Sequence, residues 1–304
     1  MKAFIFPGFD SLDCLDNRIN SLQIPFVRSR LLDAERVLKE RKLPSAVFAE
    51  FIAQENSVLQ ENYDLLIVCS FAIQVGIYEH LLANDIEPDV LVGCSLGDLA
   101  RTVCAGAISF DDMVEHAFHF GACLKKNRNG AVLRCTASQA LDRESIERSL
   151  PDNLFLSVYQ TPSRFLLSGS KRDLFAWSQS RLAKNLKTSW MIDLPLHSPL
   201  MQPTLESMWP ALSSTNFDSP KVPIFSAVNG NKIDSGKLFA DEFKDNIRGC
   251  IDWVAAMDKL KSNTKVSELI SIGPAATLIK FCSSIPASAE LKMTDGFAIS
   301  LARI

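Results

Sequence analysis

Residues 93–97 read Gly93-Cys94-Ser95-Leu96-Gly97, a G-x-S-x-G pentapeptide between an apolar run and a helix-forming run. Val90-Leu91-Val92 before it has the unbroken apolar character of a buried parallel strand. Asp98–Ala105 after it suits a helix, and Gly106 stands where that helix would end. Strand, sharp turn and helix make a nucleophile elbow. Small flanking residues let the chain turn and lift the Ser95 hydroxyl clear of the backbone. The helix N-terminus behind it offers N–H groups to a developing oxyanion. An elbow of this kind requires an α/β architecture containing a parallel sheet.

The rest of the pattern agrees. Lys2–Phe6 reads as a first strand running into a Pro-Gly turn. Leu31–Arg41 has helical spacing, and Ala46–Glu55 continues as a second helix. Asp64–Cys69 is either a buried strand or the start of an apolar helix, and periodicity does not decide between them. Ala72–Ala83 is helical, as is Asp111–Lys126, for which Ser109 is a good N-cap. Alternating helices and apolar strands argue an α/β domain with a parallel sheet.

Residues 127–194 differ in character. Strand-like Ala131–Cys135, helix-like Arg143–Leu150, strands Leu154–Tyr159 and Phe165–Ser168, helix Arg172–Leu186 and strand Ser189–Leu194 give the order β-α-β-β-α-β. That is the ferredoxin-like arrangement. The expected fold is therefore a larger α/β domain with a parallel sheet, residues 1–126 and 195–304, carrying a ferredoxin-like insert at 127–194. A helix near Pro199–Leu212, a strand at Val222–Val228 and a closing unit around Val266–Phe281 complete the larger part.

With 47% hydrophobic residues in 304, the chain can bury a large core. Its net charge of −3 and lack of a basic patch argue against nucleic acid as a partner. The apolar start, Met1–Phe6, is too short for a signal peptide or a membrane span. The eight cysteines form no C-x-x-C, and with four histidines they give a metal site little support. Their apolar surroundings suit a reducing cytoplasm.

A serine hydroxyl needs a base. His116 and His119 read as surface residues of a helix, and His80 ends one, where its imidazole favours the dipole. His197 differs: it sits in the loop Leu194-Pro195-Leu196-His197-Ser198-Pro199, just after the insert.

The run from Gly93 to Leu124 resembles the core of the malonyl-CoA:acyl-carrier-protein transacylases and of polyketide synthase acyltransferase domains. That family carries G-H-S-x-G-E, a V-C-A-G-like stretch and a helix ending in R-G-x-x-M. Phe6-Pro7-Gly8 resembles its opening F-P-G-Q-G, and His197-Ser198-Pro199-Leu200-Met201 its H-S-P-L-M. Val228-Asn229-Gly230 and Ile272-Gly273-Pro274 resemble two later motifs. The resemblance implies that Ser95 accepts an acyl group, that His197 is its base, and that the N–H groups of Leu96 and Phe9 form the oxyanion hole. It also implies that the larger part is an α/β-hydrolase-like catalytic domain, and it implies no bound cofactor. The phosphopantetheine arm belongs to the substrate, an acyl carrier protein or coenzyme A.

The departures are informative. The family arginine that pairs with the malonyl carboxylate falls on Phe120, and a phenyl ring makes no charge-assisted bond. Phe9 replaces the opening glutamine, and Leu196 stands where carboxylate-selective members carry Phe or Ser. Cys94 replaces the elbow histidine and takes a buried apolar role beside the acyl pocket. If the alignment slips locally, Arg101, Lys125, Lys126 or Arg128 would supply the missing charge. Asp252 stands in the region that supplies the base's backbone anchor in relatives. It would orient His197 by its carbonyl or its carboxylate, or else be an exposed acid.

The expected enzyme takes an uncharged acyl group from a thioester onto Ser95. The resemblance to free-standing editing hydrolases of polyketide assembly favours release to water. The alternatives are a transacylase, which would use a thiol acceptor, and an idle carrier-protein docking module.

Overall fold

In the computed structural model, residues 1–8, 15–47, 51, 62–180 and 183–304 are described. Two sheets organise them. The first has six strands in the order β11-β10-β1-β2-β7-β8. They are β1 (Lys2–Phe6), β2 (Val90–Gly93), β7 (Ile224–Phe225), β8 (Lys232–Ile233), β10 (Glu268–Ser271) and β11 (Lys292–Asp295). All neighbours in it run parallel except β7 and β8. β1 and β2 are buried on both faces, which is why they read as unbroken apolar runs.

Helices cover this sheet: α1 (Leu15–Ser21), α2 (Pro25–Glu40), α3 (Tyr63–Leu82), α4 (Gly97–Cys104) and α5 (Phe110–Lys126) before the second sheet. Pro25 at the first helical position starts α2, and Ser109 caps α5 by accepting from the Asp112 N–H. Asp64–Cys69, undecided between strand and helix, opens α3. That helix is apolar on every side because it is buried on every side, so it has no polar stripe to reveal its period. Among the described residues α3 alone is long and apolar enough to cross a membrane, and 89% of its apolar window is packed inside the protein. Most of the expected helix Ala46–Glu55 lies outside the described residues.

The second sheet has the order β6-β3-β5-β4-β9. Its members are β3 (Ala131–Ala137), β4 (Leu154–Thr161), β5 (Arg164–Gly169), β6 (Leu186–Ile192) and β9 (Ile251–Asp252). Helices α6 (Arg143–Ser149) and α7 (Lys171–Ser178) intervene in sequence and share its apolar core. The first four strands pair antiparallel, whereas β9, from outside 127–194, joins β4 in parallel. The helix expected over Arg172–Leu186 stops at Ser178, and strand structure begins already at Leu186.

The chain then returns through a short 3-10 turn at Pro199–Met201 into α8 (Gln202–Ser214). The strand expected over Val222–Val228 shrinks to β7. Ser226 leaves the sheet to close a turn, accepting from the N–H groups of Val228 and Asn229, and Gly230 completes it at φ +68°. Helices α9 (Phe239–Arg248), α10 (Trp253–Asn263), α11 (Thr277–Cys282) and α12 (Gly296–Ala302) complete the fold.

Candidate active site

β2 ends at Gly93, and the chain reverses into α4 within four residues. Ser95 at the apex has φ +57°, left-handed backbone that a non-glycine residue adopts only at a cost. The turn is tight on both sides. A Cβ on Gly97 would strike the Phe6 carbonyl, and one on Gly93 would strike Asp98. The Cys94 N–H donates to Phe6 O at 2.9 Å, holding the elbow to β1. Leu96 is the N-cap of α4, so its N–H has no intrahelical acceptor.

His197 also has left-handed backbone, φ +53°. Its loop is pinned by Ser198 Oγ donating to Pro195 O at 2.6 Å and Ser157 Oγ donating to Leu196 O at 2.8 Å. Ser95 Oγ and His197 Nε2 are 2.8 Å apart. His197 Nδ1 lies 2.6 Å from the backbone carbonyl of Asn246. A carbonyl only accepts, so Nδ1 carries the hydrogen and Nε2 accepts the hydrogen bond from the Ser95 hydroxyl. Burial lowers the imidazole pKa to about 4, against a smaller upward pull from the Asn246 carbonyl. The ring is therefore neutral, and basic, at ordinary pH.

Asp252 does not orient His197. One of its carboxylate oxygens takes Arg143 Nη1 at 2.9 Å, and the other caps α10 by accepting from the Ala255 N–H. The anchoring carbonyl belongs to Asn246, six residues earlier. The Asn246 side chain reaches back to the elbow, donating to Ser95 O at 3.3 Å and to the Asp98 carboxylate. Asp98 is buried; burial raises its carboxyl pKa, and Arg101 opposes this from 3.1 Å. Glu242 lies 3.6 Å from the same guanidinium.

Two cavities meet at the pair. One is lined by Leu196, Phe120, Met113, Met208, Leu212 and Phe243 beside Ser95 and His197, and its wall is almost wholly apolar. The other opens past Gly8 and Cys94 and carries the polar side chains of Ser157 and Gln160. Cys94 thus lines the second cavity, not the one holding Phe120. None of the alternative cations lines either cavity. Arg101 is held in the buried Asp98–Glu242 cluster, Lys125 pairs with Asp64 at 2.6 Å, Arg128 lies over the Tyr63 ring and Lys126 is exposed. Phe9 lies outside the described residues. His119 is half exposed beside Glu115, as expected, but His116 turns inward, lines the apolar cavity and meets Thr215 Oγ1 at 2.8 Å. Asn246, Met113 and His116 were not anticipated as site residues. The i, i+3, i+7 spacing of Met113, His116 and Phe120 on one helix would have revealed the shared face.

A family model described as an acyl transferase domain matches residues 28–290. The chain belongs to the acyl transferase domain family. It is 25% identical over 284 residues to the malonyl CoA-acyl carrier protein transacylase of Bacillus subtilis, covering 91% of this chain and 87% of that one. It is 25% identical over 234 residues to naringenin synthase of Pestalotiopsis fici, covering 74% of this chain and 8% of the synthase. The chain thus spans less than a tenth of that relative's length. Its fold matches a malonyl-transacylase solved in complex with a type II polyketide acyl-carrier protein, with a TM-score of 0.86 and 20% identity over 100% of this chain and 99% of that one.

Proposed function

We propose that this acyl transferase takes an uncharged acyl group from a pantetheine thioester onto Ser95 and passes it to a second pantetheine thiol. The apolar cavity carries the reading: Phe120 faces the site, and none of the described cations lines it. A malonyl carboxylate there would be buried without a counter-ion, which costs several kcal/mol.

His197 Nε2 takes the Ser95 proton as Oγ attacks the thioester carbonyl. The Leu96 N–H, at the start of α4, stabilises the resulting oxyanion. The carbon–sulfur bond breaks, the imidazolium protonates the leaving thiolate, and acyl-Ser95 remains. The second cavity, with Ser157 and Gln160, suits the amide-bearing pantetheine arm. Thiol attack reverses these steps. No metal or resident cofactor enters the mechanism.

The donor and acceptor are an acyl carrier protein or coenzyme A. The likeness to the Bacillus subtilis malonyl CoA-acyl carrier protein transacylase and to the malonyl-transacylase solved with its carrier protein supports a thiol acceptor over water, against the editing role expected from the missing arginine. We further read residues 127–194 as a ferredoxin-like subdomain inserted into an α/β-hydrolase-like body. The element order and the β6-β3-β5-β4 pairing support this.

Acetyl-loaded carrier protein, incubated with and without a second unloaded carrier, tests the acceptor. Acyl-enzyme that discharges only when the second carrier is added is the expected result. Steady release of free acetate without an acceptor would make the protein a hydrolase.

A further inference from the structure

Helices α5 and α8 run antiparallel along the apolar cavity. At one end Asn127 Nδ2, just after α5, donates to Leu200 O at 3.2 Å and to Thr204 Oγ1 at 3.0 Å. At the other end His116 Nε2 meets Thr215 Oγ1 at 2.8 Å. The first end lies beside His197 in the chain; the second is eleven residues further along both helices, roughly 16 Å away at the α-helical rise. Phe120, Met208 and Leu212 line the cavity between these ends; Met113, one turn beyond His116 on α5, Phe217, just past Thr215, and Phe243 of α9 line it too. From Phe120 to Met113 alone, seven residues along α5 span about 10 Å.

We infer that the cavity is an acyl channel running from Ser95 between α5 and α8 toward the His116–Thr215 pair, and that its substrate is a linear saturated acyl chain of about six to ten carbons. The length follows from geometry: an extended alkyl chain advances about 1.3 Å per carbon, given carbon–carbon bonds of about 1.5 Å at tetrahedral angles. Met113 and Met208 add unbranched, adaptable walls, which fit a flexible chain better than a rigid or branched one. Burial lowers the His116 pKa, so the far end presents no fixed charge to a methyl terminus. The inference rests on the acyl-Ser95 reading above and adds the length of the chain.

The test uses the purified protein and a series of straight-chain acyl-N-acetylcysteamine thioesters from acetyl to dodecanoyl. The rate of Ser95 acylation is followed by intact-protein mass spectrometry. The rate constant should rise roughly fourfold per added methylene, as burial of each CH2 implies, until about eight carbons, and then fall. Met113→Trp and Leu212→Trp, which fill the channel, should move the optimum to shorter chains, and Met113→Ala should move it to longer ones. A rate that is flat with chain length, or highest for acetyl, overturns the channel. So does an optimum that Met113→Ala leaves in place. Failure of every thioester in the series to label Ser95 would instead defeat the acyl-transfer reading itself.

Discussion

Asn246 holds His197 by its backbone and the Ser95 elbow by its side chain. Its carbonyl accepts from His197 Nδ1 at 2.6 Å, while its amide donates to Ser95 O at 3.3 Å and to Asp98. One residue of α9 thus spaces base and nucleophile, which come from loops 102 positions apart. Removing the amide alone leaves the carbonyl in place but frees the elbow and strips a buried carboxylate of its donor. Asn246→Ala should lower kcat/KM for acylation by on the order of 10- to 100-fold through misplacement of Ser95. Stability should fall by about 1–3 kcal/mol. Acylation kinetics and a denaturation midpoint read the two effects separately; wild-type kinetics would remove Asn246 from any positioning role.

As the proposed base, His197 acts only when neutral. Burial lowers its pKa to about 4, so protonation switches the site off only in strong acid. The acid limb of the kcat/KM profile should lie near about 4, well below the ordinary histidine value of about 6.5. Activity rises with pH through that limb. A limb near the ordinary value would show that the base is solvated.

Asp252 serves the fold, through Arg143 and the start of α10. Asp252→Ala should cost about 1 kcal/mol in stability, as loss of an N-cap does. Its acylation rate should stay close to wild type in a stopped-flow assay. A loss on the order of 10³-fold or more, the scale of a missing catalytic group, would return the carboxylate to the base.

In the proposed function, Phe120 sets the charge preference. Phe120→Arg should raise malonyl loading relative to octanoyl loading, since a guanidinium in the cavity supplies the missing bidentate partner. Competition between the two thioesters, read by mass, measures the ratio. An unchanged ratio would place selectivity elsewhere.

The elbow was legible because its chemistry needs particular residues in order: an apolar strand, glycines at 93 and 97, and a helix behind Ser95. The Asp64–Cys69 stretch was not, because a helix buried on all sides loses the polar face that marks its period. The loop position of His197 and its motif pointed to the base. Its anchor did not show, because a backbone carbonyl carries no side-chain signature. Asp252 stands in the region from which relatives anchor the base, whereas packing here presents the carbonyl of Asn246, six residues earlier. His116 read as a surface residue because it was weighed apart from Met113 and Phe120, which share its helix face. That this face is covered follows from the crossing of α8. Phe120, at the family's arginine position, was legible as a change of charge, but the depth of the cavity behind it depends on α8 and α9, which lie far away in sequence.

The most direct measurement is intact-protein mass spectrometry of the wild type after exposure to equimolar octanoyl and malonyl thioesters, with Ser95→Ala as the control. One octanoyl mass on the wild type, little or no malonyl mass, and neither on Ser95→Ala is the predicted result. Equal or preferential malonyl loading of Ser95, or acylation that persists in Ser95→Ala, would contradict the account.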